Sequence, residues 1–328
     1  MSGVASKAVA FADDHQIPIY LLALALGVVV GTIAPASSHG FEQAIEPVLA
    51  LLLFATFQQV PFTALAHAFR DRRFLTVLLL VNFVVVPVVV FGLTRFVAGD
   101  KAVLIAVLLV LLTPCIDYVI VFCGLAGGAS TKLLAASPIL MLGQLLLLPL
   151  YLIMFVGRDL ADVFDPGPFV HAFVVLIVVP LLLALLTEML AARHHVGMLV
   201  TSALTGLMVA LLAATLFVVV ASQVPAVRGN LRAVAEVVPI FAAFAAVMAA
   251  VGWVATRCLR LDPADGRAVM FSGTTRNSLV VLPLALALPA AYDIAPAVVV
   301  TQTLVELIVM LVYVRLVPRL VRSKPEHF

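Results

Sequence analysis

Two polar stretches, Thr113-Pro114-Cys115-Ile116-Asp117 and Thr274-Thr275-Arg276-Asn277-Ser278, interrupt long apolar segments of the chain. In the next apolar segment after each stretch lies a larger polar residue, Gln144 after the first and Glu306 after the second. The separation is 29 positions in both sets, counted from Cys115 and from Asn277, and the sets are offset by 162 residues in a chain of 328. This spacing predicts a duplicated unit of about half the chain.

The composition places the chain in a membrane. Hydrophobic residues make up 64% and charged residues 11% of the sequence, and the mean hydropathy is +1.24. Soluble proteins carry roughly a quarter charged residues, so we expect this chain to lie mostly in lipid. The formal net charge of +2 gives a nucleic-acid partner no electrostatic support.

The cysteines and the absence of catalytic motifs argue against a cofactor and against an enzyme. Cys115, Cys123 and Cys258 form no CxxC pair, so neither a zinc site nor a disulfide framework is indicated. The sequence contains no GxSxG, HExxH or phosphate-cradling loop. We therefore expect no cofactor, no intramembrane enzyme and no transport driven by ATP.

Ten apolar runs are long enough to cross a bilayer, which takes about 20 residues each. They cover residues 17–34, 45–67, 74–97, 102–124, 132–157, 169–190, 197–222, 235–257, 267–289 and 293–318. With the N-terminus inside, the inner segments carry 12 Lys and Arg residues and the outer loops carry 5. The positive-inside rule predicts a multi-pass protein of the plasma or inner membrane with both termini in the cytoplasm.

Ten spans divide into two sets of five, and a unit of five spans that is repeated returns with opposite orientation. The predicted fold is an all-α integral membrane protein of ten transmembrane helices, arranged as two inverted five-helix repeats. Residues 1–328 form one transporter domain in this prediction, with repeats at 1–162 and 163–328. Spans 4 and 9 are predicted to be broken and to cross, because Pro114 removes a backbone donor from one and Gly273 with polar neighbours loosens the other.

Three charged residues, Asp117, Arg276 and Glu306, fall near the middle of their spans. A charge at that depth costs at least about 2.5–3.5 kcal/mol on insertion scales, which favours a functional role. Two acids and one guanidinium leave one acid without a fixed cation, and we expect that acid to bind the coupling proton or cation. The alternative is a structural ion-pair network that clamps the broken helices. For Arg276 we expect a structural role, holding the crossover together through a carboxylate.

Neutral polar groups share this depth. Cys115 follows a proline among polar neighbours, which favours a thiol that faces a cavity, although a free cysteine also packs as a small hydrophobe. Five neutral side chains are candidates for binding a small polyhydroxyl substrate or sodium, and their alternative role is hydrogen bonding between helices. They are Gln144, Ser137, Asn277, Ser278 and Thr274. Asn82 has the same two interpretations.

At these residues the chain resembles the arsenite efflux permeases of the bile acid/sodium symporter superfamily. Thr113-Pro114-Cys115 is similar to the Ala-Pro-Cys of span 4 in that family, Thr275-Arg276-Asn277-Ser278 to its Ala-Arg-Asn-Asn in span 9, and Leu304-Val305-Glu306-Leu307 to its Val-Glu-Val in span 10. Asp117 is a departure, because better-known members have a small or apolar residue there.

The resemblance implies efflux of trivalent arsenic, and of antimony, in exchange for protons. Cys115 would contact the metalloid transiently, Arg276 and Asn277 would shape the crossover at the substrate site, and Glu306 would couple the proton. Thr113 and Gln144 are further candidates for the substrate site, and Asp117, where the sequence departs from the family, is a further candidate for proton coupling. In this mechanism a core of spans 3–5 and 8–10 rocks against a panel of spans 1, 2, 6 and 7.

Two other functions remain open from the sequence. The first is a sodium-coupled symporter of a small organic anion, in which Asp117, Gln144 and Glu306 hold sodium and Arg276 meets the substrate carboxylate. The second is a receptor or scaffold without transport, but this function would not explain why charged residues lie at the middle of the membrane. The sequence does not specify the oligomeric state.

Overall fold

The computed structural model describes residues 11–12, 14–58, 71–116, 118–157, 171, 174–191 and 195–322. Within these residues the chain is helical, and its only β pairing is one isolated bridge. The α-helices, numbered in chain order, are α1 Gln16–Ile33, α2 Ser38–Gln58, α3 Arg72–Leu80, α4 Val86–Thr94, α5 Lys101–Leu111, α6 Val119–Leu125, α7 Ser130–Val156, α8 Val179–Ala191, α9 His195–Gly229, α10 Leu231–Cys258, α11 Pro263–Thr274, α12 Ser278–Leu286 and α13 Ala295–Leu320.

Six helical segments are long and apolar enough to cross a membrane, judged by length and composition. They are Gln16–Ile33, Pro35–Gln58, Arg72–Val97, Val200–Gly229, Leu231–Cys258 and Ala290–Leu320. A seventh consists of the two parts of α7, which meet at a bend of 46°. The chain is therefore a multi-pass, all-helical membrane protein in its described part, and the arrangement of ten spans as inverted repeats stays a prediction.

The two spans that were expected to be broken are each present as a pair of short helices. Helices α5 and α6 occupy the predicted span 4, and α11 and α12 occupy the predicted span 9. Neither pair reaches membrane length as one continuous helix, which is one reason why fewer than ten long helices are found.

The chain divides into two compact units. The first comprises Met1–Val60 and Pro166–Gly229, and the second comprises Pro61–Asp165 and Asn230–Phe328. This division groups the predicted spans 1, 6 and 7 and most of span 2 in one unit, and spans 3–5 and 8–10 in the other. Each unit takes segments from both predicted repeats.

In the first unit, α9 packs along both α1 and α2. Gly27 and Gly31 of α1 face α9, and a Cβ atom at Gly31 would lie 2.8 Å from the Ala221 carbonyl oxygen and from the Val224 Cβ. A Gly-xxx-Gly spacing allows two helix backbones to approach closely in lipid, where packing rather than the hydrophobic effect holds helices together. Side chains at these two glycines would push α1 away from α9.

In the second unit, a π-helical turn at Val81–Val85 joins α3 to α4. Pro87 lacks the amide that would bond to the Phe83 carbonyl, four residues earlier. The Tyr151 hydroxyl donates to that carbonyl oxygen at 2.5 Å. The proline therefore accounts for the irregular turn, and α7 supplies the missing donor.

Salt bridges and carbonyl contacts gather several chain segments at one end of the second unit. Lys132 lies 2.5 Å from the Asp71 carboxylate and 2.9 Å from that of Asp265. Arg267 donates to the carbonyl oxygens of Val321 and Ala126. All of these residues belong to segments that the Lys and Arg count assigns to the cytoplasmic side, so the unit brings them together at one end as expected.

Asp71 has two roles at that end. Its side chain accepts a hydrogen bond from the Phe74 amide and so caps α3. The hydrogen bond from Lys132 and the one from the Phe74 amide hold the pKa of the Asp71 carboxyl below its ordinary value of 3.8.

Candidate functional site

The two breaks meet inside the second unit. Pro114, between α5 and α6, and Arg276, between α11 and α12, form an isolated antiparallel β-bridge. The Cys115 amide donates to the Thr275 carbonyl oxygen at 3.2 Å, and the Asn277 amide donates to the Thr113 carbonyl oxygen at 2.8 Å. Backbone groups that the broken helices leave without helical partners thereby satisfy each other. We call the residues 113–115 and 275–277 the crossover.

Glu306 of α13 reaches the crossover with its carboxylate. The Arg276 amide donates to Oε2 at 2.7 Å, and the Tyr118 hydroxyl donates to Oε1 at 2.6 Å. Gln302, one turn earlier on α13, also donates to Oε2 through its Nε2. Glu306 is 3% exposed, and three donors around one buried carboxylate stabilise its charged form against the cost of burial.

Arg276 is fully buried, and its guanidinium contacts oxygen atoms that are not carboxylates. Nη2 donates to the Asn82 Oδ1 at 2.9 Å and to the carbonyl oxygens of Ser272 at 2.6 Å and Gly273 at 2.8 Å. Nη1 lies 3.4 Å from the Leu111 carbonyl oxygen. Among the described residues, no carboxylate lies within ion-pair distance of this guanidinium.

The expectation that Arg276 holds the crossover through a carboxylate is therefore wrong for the described residues. Leu111 ends α5, and Ser272 and Gly273 lie in the last turn of α11, so the guanidinium caps the C-terminal ends of both first half-helices. Carbonyls at a helix C-terminus have no helical partners and carry partial negative charge. The Arg276 guanidinium therefore supplies hydrogen-bond donors to the free carbonyl oxygens at two helix ends. The hydrogen bond between Arg276 and Glu306 comes from the Arg276 backbone amide.

Cys115 and Thr113 lie in the first segment of the crossover, residues 113–115, and both are buried. The Thr113 hydroxyl donates to the Leu109 and Val110 carbonyl oxygens at 3.1 and 3.0 Å, so it is used within its own helix. The Cys115 side chain is 1% exposed, at the point where the two breaks are joined.

The two candidate amides, Asn277 and Gln144, have unequal surroundings. The Asn277 Oδ1 accepts from the Val280 amide at 3.2 Å and so caps α12. The Asn277 Nδ2 and the Gln144 Oε1 are buried, and neither finds a hydrogen-bond partner in the described part of the chain. Gln144 lies on α7, and no hydrogen bond among the described residues joins it to the crossover. Asp117 lies outside the described residues.

A small cavity borders the acid. Its volume is about 10 Å³, and its lining includes Gln302, Glu306, Thr274 and Phe244. A space of this size is about that of one water molecule. The Gln302 Oε1 is buried without a partner among the described residues.

The sequence identified Asn82 as a candidate polar group and missed three other groups of this site, which are Tyr118, Gln302 and Ser272. Tyr118 and Gln302 bond to Glu306, and Asn82 with Ser272 supports Arg276. Gln302 was detectable, because residues four apart on a helix share a face. The contacts of Tyr118 and Ser272 depend on how three helices pack, which the spacing along the chain does not contain.

Two broken helices that cross in a membrane protein, with a buried acid at the crossing, define the class of secondary transporters. The family described as Sodium Bile acid symporter family matches residues 46–229, which is more than half of the chain. The chain belongs to this family, whose members are transporters and not enzymes. No curated protein matches the chain. The matched range includes Cys115 and Gln144 and ends before Arg276 and Glu306.

Proposed function

We propose that this transporter exports trivalent arsenic, as neutral arsenite, in exchange for protons. The observation that carries the proposal is the hydrogen-bonded crossover, which joins the backbone of Cys115 to that of Thr275, next to the residue whose amide bonds to Glu306. A thiol that binds a soft metalloid and an acid that binds a proton are thereby linked through one short stretch of backbone.

The thiol chemistry suits arsenite. Soft sulfur ligands favour soft thiophilic centres over hard cations. The Cys115 sulfur forms a bond to arsenic, one arsenic–oxygen bond breaks, and the leaving hydroxyl departs as water with the thiol proton. Attack by water reverses these steps and releases arsenite on the other side. No oxidant or reductant is needed, since arsenic stays trivalent throughout.

The surroundings of Glu306 suit a group that gains and loses a proton. The carboxylate accepts three hydrogen bonds, whereas the protonated carboxyl has one O–H to donate and needs an acceptor. Rotation of the Gln302 amide by half a turn presents Oε1, which has no partner among the described residues, in place of Nε2. Gln302 thus accommodates both states of the acid. Protonation of Glu306 from outside promotes release of arsenite, and the protonated, arsenite-free transporter then returns to face the cytoplasm.

The experiment is accumulation of arsenite in inverted membrane vesicles under an imposed proton gradient or an imposed sodium gradient. We expect accumulation with protons alone, reduced to the background of empty vesicles by Cys115→Ser. Cys258→Ser, which changes an exposed cysteine, is the matched control and should transport as well as the wild type. Equal transport by wild type and Cys115→Ser, at equal amounts of folded protein, would rule out the thiol step.

The second candidate is a sodium-coupled symporter of a small organic anion, which is compatible with the family match. Its coupling ion would require oxygen ligands from Gln144 and Glu306, with Asp117. The guanidinium of Arg276 is enclosed by oxygen atoms of the protein, which counts against contact with a substrate carboxylate. Sodium-driven uptake of an organic anion that is indifferent to Cys115→Ser would favour this candidate.

A further inference from the structure

A basic cleft lies at one end of the second unit, where α10 and α13 end. Its volume is about 490 Å³, and four arginines line it: Arg257, Arg260, Arg319 and Arg322. The rest of the lining consists of Thr256, Leu261, Pro263, Leu320 and Val321. No acidic residue is among these lining residues, so the cleft concentrates positive charge.

The arginines of the cleft form no ion pair within the part of the chain that the structure describes. All four arginines are exposed. Of the described acids at this end, Asp71 and Asp265 pair with Lys132. Asp262, in contrast, is exposed between the lining residues Leu261 and Pro263 and offsets one of the four positive charges. The neighbouring Arg267 uses its guanidinium on carbonyl oxygens. The four arginines therefore attract an anion from outside the protein.

The backbone at Arg260 is unusual for an arginine. The Arg260 amide donates to the Arg257 carbonyl oxygen and the Leu261 amide to that of Thr256, which is the Schellman arrangement at the end of α10. Arg260 occupies its left-handed position with φ of 46°. Glycine is the usual residue there because it has no Cβ. The chain accepts this strain and gains a fourth guanidinium in the cleft.

Apolar surface leads from the membrane side towards the cleft. On α13, Ile308, Val312 and Leu316 are exposed at spacings of four residues, and Arg319 is the next position of the same stripe. On α10, Trp253 is exposed one turn before Arg257, whose guanidinium lies 5.4 Å from the centre of the indole ring. Tryptophan and arginine are typical of the level where acyl chains meet headgroups.

We propose that this cleft binds the headgroup of an anionic phospholipid, with its acyl chains along the exposed faces of α10 and α13. The Lys and Arg count assigns this end to the cytoplasm, where the leaflet supplies anionic lipid, and basic pockets between transmembrane helices recognise such headgroups. The site is separate from the crossover, so this proposal does not depend on the transported substrate.

The test is binding of phosphatidylglycerol to the purified protein in a neutral detergent, measured by native mass spectrometry and by the rise in melting temperature. Phosphatidylcholine with the same acyl chains is the lipid control. We expect binding of phosphatidylglycerol alone, weakened about fivefold by Arg260→Gly and about 25-fold by Arg260→Gly with Arg319→Gln, at roughly 1 kcal/mol per arginine. Arg260→Gly also relieves the left-handed strain, so this variant should fold at least as well as the wild type.

The matched control is Arg95→Gln, which removes an exposed arginine outside the cleft, and its affinity for the lipid should equal that of the wild type. Equal affinity in the cleft variants and the wild type would overturn the proposal, as would equal binding of the two lipids. Displacement of phosphatidylglycerol by inorganic phosphate alone would overturn the lipid assignment in favour of a site for a free anion.

Discussion

The two sides of the crossover have the same geometry and different chemistry. Each is a break between two short helices, and each is followed 29 residues later by a polar side chain on the next long helix, Gln144 on α7 and Glu306 on α13. The described residues of the first side, Thr113 to Cys115, are neutral, and the second side contributes a guanidinium and a carboxylate. Two breaks with the same geometry therefore carry different side chains, and the charged groups described at the crossover come from the second side.

The breaks also differ in physical cause. On the first side, Pro114 removes a backbone donor, which is a covalent reason for the helix to stop. On the second side the chain stops where Arg276 folds back onto the carbonyl oxygens of its own helix and of α5. The second break therefore depends on a side chain, and the first on the backbone itself. This difference gives the largest predicted effect.

Arg276→Met should disrupt the second unit. The substitution leaves the Asn82 Oδ1 and the carbonyl oxygens of Ser272 and Gly273 without this donor in a buried site, at a cost of about 1–3 kcal/mol for each group that finds no other partner. We expect loss of most folded protein, measured by size-exclusion chromatography and thermal unfolding. Arg232→Met changes an exposed arginine and should leave the melting temperature unchanged. A melting temperature for Arg276→Met equal to that of the wild type would contradict the capping role.

Glu306→Gln should separate folding from coupling. A glutamine with its oxygen in the Oε2 position keeps the acceptor for the Arg276 amide and the Gln302 side chain, and its new N–H in the Oε1 position can donate to the Tyr118 hydroxyl oxygen. We therefore expect a melting temperature close to that of the wild type and complete loss of arsenite accumulation under a proton gradient. The result against the account would be proton-driven accumulation at the wild-type rate.

Pro114→Ala tests the first break directly. The helical acceptor of the new amide would be the Val110 carbonyl oxygen, which already accepts from the Thr113 amide and hydroxyl. The Thr113 carbonyl and the Cys115 amide stay paired across the crossover. We expect the crossover to persist and the free energy of unfolding to change by about 1–3 kcal/mol at most, the cost of one unpaired buried donor. Thermal unfolding of Pro114→Ala and Arg276→Met, measured side by side, compares the two breaks. A larger loss of stability in Pro114→Ala than in Arg276→Met would contradict the difference between them.

Lys132→Met should have the smallest effect. Lys132 is partly exposed, and salt bridges of this kind contribute about 1 kcal/mol or less. In the wild type the pKa of Asp71 is lowered by the Lys132 hydrogen bond, so its contribution to stability is present above pH 3.8 and is lost as the pH falls through the folded value. Thermal unfolding of wild type and variant should differ at neutral pH and converge in acid. A difference that grows in acid would contradict the assignment.

Part of this site was predictable from spacing alone. The equal separations of 29 residues and the offset of 162 located both breaks and Glu306, because side chains that cost energy in lipid stand out against an apolar background. The partners of Arg276 were not predictable, since backbone carbonyls at helix ends carry no signature in the sequence. The spacing of Gly27 and Gly31 in the sequence is itself a signal of close packing between two membrane helices. Span 9 consists of two helices that are each too short to cross a membrane, so it is not counted among the membrane-length helices.

The most direct test of the central claim is simultaneous measurement of arsenite and proton flux in proteoliposomes with no imposed gradient. Arsenite added on one side should enter and drive protons out in a fixed ratio, and the addition of sodium should change neither flux. Cys115→Ser should abolish both fluxes, and Glu306→Gln should abolish the proton flux. Arsenite movement accompanied by sodium and not by protons, or the absence of arsenite movement in vesicles that contain the folded protein, would contradict the account.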